Sequence, residues 1–254
     1  MILAIDIGNS NIVLGCFKDQ EIIFRERIST NHTATSLEYA ATIKTAFEMY
    51  NIDTSAVDGA IISSVVPAVT GTIKSAIEKF IGSDVLVVGP GIKTGLSIVI
   101  DNPSQLGSDL VVDAVASLNE YKAPMIIIDM GTATTISVIN KKKEYIGGMI
   151  IPGVAVSHDA LISRTSQLSK VALEKPKKLI GSNTIDCIKS GILYGSAGTL
   201  DGLVDRINEE LGEKCTVIAT GGIAPVITPL CKNDIILDED LLLKGLMVIY
   251  NKNK

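Results

Sequence analysis

Two short segments carry residue types suited to gripping phosphate. Asp6-Ile7-Gly8-Asn9-Ser10-Asn11 follows the apolar run from Ile2 to Ile5, and Asp129-Met130-Gly131-Thr132 follows Met125 to Ile128. Glycine allows a tight turn that brings main-chain N–H groups close to a phosphate. Amides and hydroxyls add donors, and the aspartate sits where a phosphate-bound divalent cation needs an anion. One Asp-x-Gly after a strand is an ordinary turn. Two in matching register, with Gly8 on Gly131 and Asn9 on Thr132, predict loops that hold a polyphosphate from both sides. A third cluster, Thr220-Gly221-Gly222, follows Thr216-Val217-Ile218. Strand into Gly-Gly into helix offers bare backbone on which an adenine or ribose can lie.

The elements that must position these loops follow from periodicity. Short apolar runs broken by turn formers at 6–11 and 18–20 predict an opening β-meander. Helical spacing recurs over Ser36 to Tyr50, about Val69 to Phe80, and after Pro103 through Leu106, Leu110, Val111, Ala114 and Leu118, with buried strands expected at Ile61 to Val66 and Val85 to Val88. The opening pattern then returns, Asp129 lying 123 positions after Asp6 in a chain of 254 residues. A repeat at half the length predicts a duplicated α/β domain, two mixed sheets with flanking helices, divided into lobes 1–118 and 119–254. Lys141-Lys142-Lys143 reads as a solvated hairpin turn, the stretch from Lys175 to Lys178 as a linker between helices, and His32 and His158 as surface or helix-start residues.

Composition narrows the class. A net charge of −5 and only six Tyr, four Phe and no Trp argue against a protein that coats nucleic acid or an anionic membrane. No stretch approaches the roughly 20 apolar residues of a membrane span, and no signal peptide is expected. Cys16, Cys187, Cys215 and Cys231 have no metal or redox spacing and read as buried thiols of a cytoplasmic protein. The expected partner is a small molecule.

With these segments in place, the sequence resembles the acetate and sugar kinase, heat-shock ATPase and actin superfamily, with duplicated actin-like (ribonuclease H-like) ATPase domains. More closely it resembles the type III pantothenate kinases, nearly end to end. Further matching segments are Gly89-Pro90-Gly91-Ile92-Lys93-Thr94-Gly95-Leu96, Asp101-Asn102-Pro103, Gly107-Ser108-Asp109, Gly147 to Gly153, Gly181-Ser182-Asn183-Thr184 and Leu241 to Leu246. The resemblance implies transfer of the ATP γ-phosphate to the primary hydroxyl of pantothenate, the first step of coenzyme A synthesis, with Asp109 as general base. It implies ATP contacts along Asp6, Ile7, Gly8, Asn9, Ser10, Asn11, Ile12 and Val13 and at Thr132, Gly221 and Gly222. Asp6 is implied near Mg²⁺ on the phosphates, and Asp129 as ligand of a monovalent cation, K⁺ or NH₄⁺. Acceptor contacts are implied at Ile100, Gly107, Ser108, Asp109, Leu110 and Thr184, and the family assembles as homodimers.

Two positions depart from the family pattern. Ile100 stands where a Tyr is usual, and Leu110 where an Arg follows the aspartate. An arginine there would hold a substrate carboxylate bidentately, a contact whose loss commonly costs about 2–5 kcal/mol when buried. Lys93 or Arg164 are the candidate replacements. The alternative function is a homologue of altered substrate, or a non-catalytic nucleotide-binding regulator.

Overall fold

β1 (Ile2–Ile7) alternates between two apolar faces, Leu3, Ile5 and Ile7 on one and Ala4 on the other, and is therefore a central strand. In the computed structural model, which describes residues 1–82 and 84–254, it pairs antiparallel with β2 (Asn11–Lys18), which pairs antiparallel with β3 (Glu21–Ser29). α1 (Ser36–Met49) starts at a reciprocal cap between Thr35 and Glu38. β4 (Gly59–Ser64) returns parallel to β1, α2 (Pro67–Ile81) follows, and β5 (Val85–Val87) completes the sheet order β3-β2-β1-β4-β5. After the two-residue β6 (Ser97–Ile98), α3 (Ser108–Glu120) begins later than the pattern after Pro103 suggested, because Pro103–Gln105 forms a separate short 3₁₀ turn.

The second half repeats the plan. β7 (Met125–Met130) pairs antiparallel with β8 (Ala133–Ile139), β8 with β9 (Glu144–Pro152), and after α4 (Val154–Ser163) and the long α5 (Thr184–Leu211), β10 (Thr216–Thr220) lies parallel to β7. The four-residue α6 (Ala224–Ile227) and β11 (Ile236–Leu237) precede α7 (Leu241–Lys252), and the sheet order is β11-β10-β7-β8-β9-β6. The Lys141–Lys143 turn joins β8 to β9, and Lys175–Lys178 lies in the irregular segment between α4 and α5, as the sequence suggested.

The division into units corrects the single cut near residue 118. One unit comprises 1–96, 102–119 and 241–254, the other 97–101 and 120–240. α7 returns to the first unit because its apolar face, Leu243, Leu246, Ile249 and Tyr250, is buried with Ala4, Phe17 and Ile61 of the sheet and Val112 and Val115 of α3. Burying each such side chain contributes roughly 1.5–3 kcal/mol. The other face of that sheet carries α1 and α2 through Ile43, Phe47, Ile73 and Ile77. His158 is also corrected: it lies buried within α4, where Nε2 accepts the Val171 N–H (3.4 Å). Cys16 and Cys215 are buried, but Cys231 is half buried and Cys187 exposed.

Candidate active site

In the first unit the end of β1 carries the Asp6 loop. Gly8 N–H donates to Asn11 C=O (2.9 Å), closing the turn, and a Cβ at Gly8 would sit 3.0 Å from that same oxygen. Ile7 and Ile12 are buried core residues flanking the turn, whereas Asn9, Ser10 and Asn11 are exposed at its tip. The N–H of Gly8 is engaged within the turn, and the tip is the part of the loop that faces solvent. Thr30, which the sequence reading passed over, holds the loop from β3: its hydroxyl donates to Gly8 C=O (2.6 Å) and its N–H to Ser10 C=O (3.1 Å).

The same end of this sheet carries Asp109. Asp6 stands opposite Ser63 in the parallel β1–β4 register. Strand alternation puts both on the face of Ala4 and Ile61, which is the face covered by α3 and α7. Ser108, the first residue of α3, bonds to both Ser63 and Ser64, so the helix starts over this last rung. Asp109 follows, its Oδ1 accepting the Leu110 N–H (2.9 Å). Burial raises its pKa above the ordinary carboxylate value, partly opposed by the backbone hydrogen bonds. Gly107 lies close beneath the Asp109 carboxylate, so a Cβ there would displace Asp109 Oδ1. Thus Asp6, the loop from Asn9 to Val13, and Gly107 to Leu110 share one end of one sheet, with Leu110 half buried in the first turn of α3.

The second unit gathers a different set. Asp129, the penultimate residue of β7, stands opposite Thr220 of β10. Gly221, at φ +94°, then turns over it so closely that a Cβ would lie 2.6 Å from Asp129 Oδ1 and 2.7 Å from the Met130 backbone. The same turn continues through Gly222. Gly153, opening α4, abuts the Asp129 loop from the other side, where a Cβ would collide with Thr132 C=O and stand 2.7 Å from Gly131 C=O. Thr132, at the loop tip, is exposed. Asp129, Thr132, Gly221 and Gly222 thus form one cluster. Ile100 and Thr184 belong to this unit but to other elements: Ile100 is half buried beyond β6, and Thr184 is exposed at the start of α5, where Asn183 caps the helix by accepting the Asp186 N–H (2.9 Å).

The two candidate substitutes for the family arginine are both exposed. Lys93 has its backbone fixed by Asn253, whose Oδ1 accepts Lys93 N–H (3.0 Å) and whose Nδ2 donates to Lys93 C=O (2.9 Å). Arg164 caps the end of α4.

This arrangement, a turn for phosphates and a desolvated carboxylate at one sheet end, fits a phosphoryl-transfer enzyme, and the family model for type III pantothenate kinase matches residues 2–206. The chain belongs to the type III pantothenate kinase family. A relative of that name from Halalkalibacterium halodurans is 42% identical over 253 residues, covering all of both chains. Among solved structures, an activator of the 2-hydroxyisocaproyl-CoA dehydratase from Clostridium difficile with bound ADPNP superposes with a TM-score of 0.59 at 12% identity, over 98% of this chain and 93% of that one. A putative Baf family transcriptional activator from Campylobacter jejuni gives 0.57 at 19% identity, over 99% and 98%. At those identities the likeness is one of fold, that of the actin-like ATPases and sugar kinases.

Proposed function

We propose that the protein transfers the γ-phosphoryl group of ATP to the primary hydroxyl of pantothenate, the first step of coenzyme A synthesis. The observation that carries this reading is the shielded Asp109 carboxylate, held at the sheet end that bears the Asp6 loop, in a chain of this family. Asp109 accepts the proton of the acceptor hydroxyl as its oxygen bonds to phosphorus and the bond to the leaving ADP oxygen breaks. On the family's pattern the Asp6 loop and the Thr132 loop are each phosphate contacts, and the bare backbone at Gly221 and Gly222 is an adenosine contact.

The residues present also fit the implied ions. Among the described residues no group of three or more His, Cys, Asp or Glu can hold a metal by itself. Single hard carboxylates suit Mg²⁺ bound mainly through phosphate oxygens and water, with Asp6 beside it, and K⁺ or NH₄⁺ at Asp129 completed by carbonyls. When bound there, Mg²⁺ would neutralise phosphate charge. A homodimer is supported by the apolar side chains exposed on the second unit, Ile150 at 74%, Leu179 at 61%, Ile180 at 83% and Ile185 at 51%. Among the described residues no helix is long and apolar enough to cross a membrane.

Purified protein with ATP, Mg²⁺, K⁺ and pantothenate in a coupled ADP assay tests the reading, beside Asp109→Asn. Pantothenate-dependent turnover lost in the variant is the expected result. ATP binding without turnover would instead favour the regulator, for which the Campylobacter likeness supplies only a shared fold. Raised KM for pantothenate in Lys93→Ala or Arg164→Ala identifies the cation that replaces the family arginine.

A further inference from the structure

The first turn of α3 is tied to β4 and α2 by hydroxyls that meet at Ser64, Ser108 on its backbone and Thr70 on its side chain. Ser108 Oγ accepts the Ser64 N–H (3.1 Å) and donates to the Ser64 C=O (2.9 Å), so one side chain locks both backbone groups of the residue that ends β4. A hydroxyl has one proton, and here it is committed to the carbonyl. At the 3.2 Å contact between Ser108 Oγ and Ser63 Oγ, the fully buried Ser63 is therefore the donor. Behind them Ser64 Oγ accepts the Val66 N–H (3.0 Å) and the Thr70 hydroxyl (2.7 Å), Thr70 sharing its proton with Val66 C=O (3.0 Å). Ser63 in turn stands opposite Asp6. The network spans the rung that carries Asp6 and the helix turn that carries Asp109.

We propose that Ser63, Ser64, Thr70 and Ser108 are positioning residues that fix Asp109 relative to the Asp6 end of the sheet. Ser108 then acts through Asp109 and is not a contact of the acceptor, although the family match had placed it there. The proposal rests on the reading of Asp109 as the base. All three partners of Ser108 are protein atoms of β4, and a side chain at the adjacent Gly107 would displace the Asp109 carboxylate, so the turn and the orientation of that carboxylate are linked.

Two readouts on Ser108→Ala, Thr70→Val and Thr70→Ser test this. One is amide hydrogen exchange over residues 109–112; the other is the split between kcat and KM for pantothenate. Loss of the Ser108 hydroxyl should speed exchange in that turn and lower kcat about 10- to 100-fold, the scale of a small misplacement of a reacting group, with KM unchanged. The nearly isosteric Thr70→Val should act in the same direction more weakly, and Thr70→Ser, which keeps the hydroxyl, should restore both readouts. A raised KM with unchanged kcat and exchange in Ser108→Ala would overturn the proposal, as would a Thr70→Val protein silent in both. Full turnover in Asp109→Asn would sink the reading of the base, while exchange would still decide the brace.

Discussion

In the first unit the rung Asp6–Ser63 is covered by the start of a helix; in the second the corresponding rung, Asp129–Thr220, is covered by bare backbone. The residues that follow show the difference. Ser64 has its N–H and C=O bound by Ser108, bringing Asp109 to the site, whereas Gly221 folds directly onto the Asp129 carboxylate. Both segments then enter a helix with proline in its first turn, Pro67 in α2 and Pro225 in α6. One duplicated frame therefore carries two chemistries. A polar crosslink holds the buried Asp109 carboxylate in the first unit, and a missing side chain lets backbone close on the Asp129 carboxylate in the second, which matches the base proposed for the one and the nucleoside and ion contacts proposed for the other.

The sharpest break of this contrast is Asp109→Asn. It keeps the shape and removes the base, so kcat should fall by about 10²- to 10⁴-fold, with KM for ATP little changed. In the parent protein the acid limb of kcat should lie above the ordinary carboxylate range, because burial holds the proton on Asp109. The same shift has a stability consequence. A carboxyl with a raised folded-state pKa favours the fold while protonated, and that contribution fades as pH rises from the unfolded value through the folded one. Asp109→Asn should therefore melt higher than the parent at neutral pH, and the gain should vanish at acid pH. An unshifted acid limb and an unchanged Tm would remove the distinction between a desolvated base and an ordinary surface acid.

Next in size are the two glycines that press on the Asp129 loop. Gly221→Ala meets both a left-handed backbone and the Asp129 carboxylate, and should cost about 1–3 kcal/mol in urea unfolding. Gly153→Ala has no positive φ, yet its methyl would collide with Thr132 C=O, so the loop must move, at about 1–3 kcal/mol. Both should raise KM for ATP more than KM for pantothenate. Equal effects on both substrates would mean that this cluster is structural support and not a nucleotide contact.

Much of this was legible in the sequence because chemistry and turn formation ask for the same residues there. The spacing of 123 between Asp6 and Asp129 is also that between β1 and β7 and between β3 and β9, strand for strand. The hairpins between them differ by single residues that cancel. Residues 131–133 make a loop one shorter than 8–11, and the Lys141–Lys143 turn is one longer than Asp19–Gln20. Such compensation is invisible without the pairing register. Ser63 and Ser64 were missed because serine after an apolar run signals nothing by itself; their meaning comes from Ser108, 44 and more positions away. The return of α7 to the first unit was missed for a similar reason. Its apolar face announces burial but not the surface that receives it.

The smallest effect tests the finest part of the comparison. Thr30 and Gly153 are equivalent residues, each one past the end of its third strand, β3 or β9, and each touching the first hairpin loop of its unit. Thr30 holds its loop by donation, Gly153 by having nothing in the way. Thr30→Val keeps the volume and the backbone N–H bond to Ser10 but removes the hydroxyl from Gly8 C=O, which is a loss of about 1 kcal/mol. A carbonyl that can turn to water recovers part of that loss, so the change should show as a modest rise in KM for ATP with kcat intact. Gly153→Thr, the reciprocal change, places a branched side chain where even a methyl collides, and should be far more damaging. If the two substitutions prove equally mild, the second loop moves more freely than its contacts imply, and the division between a loop held by donation and one held by close approach fails.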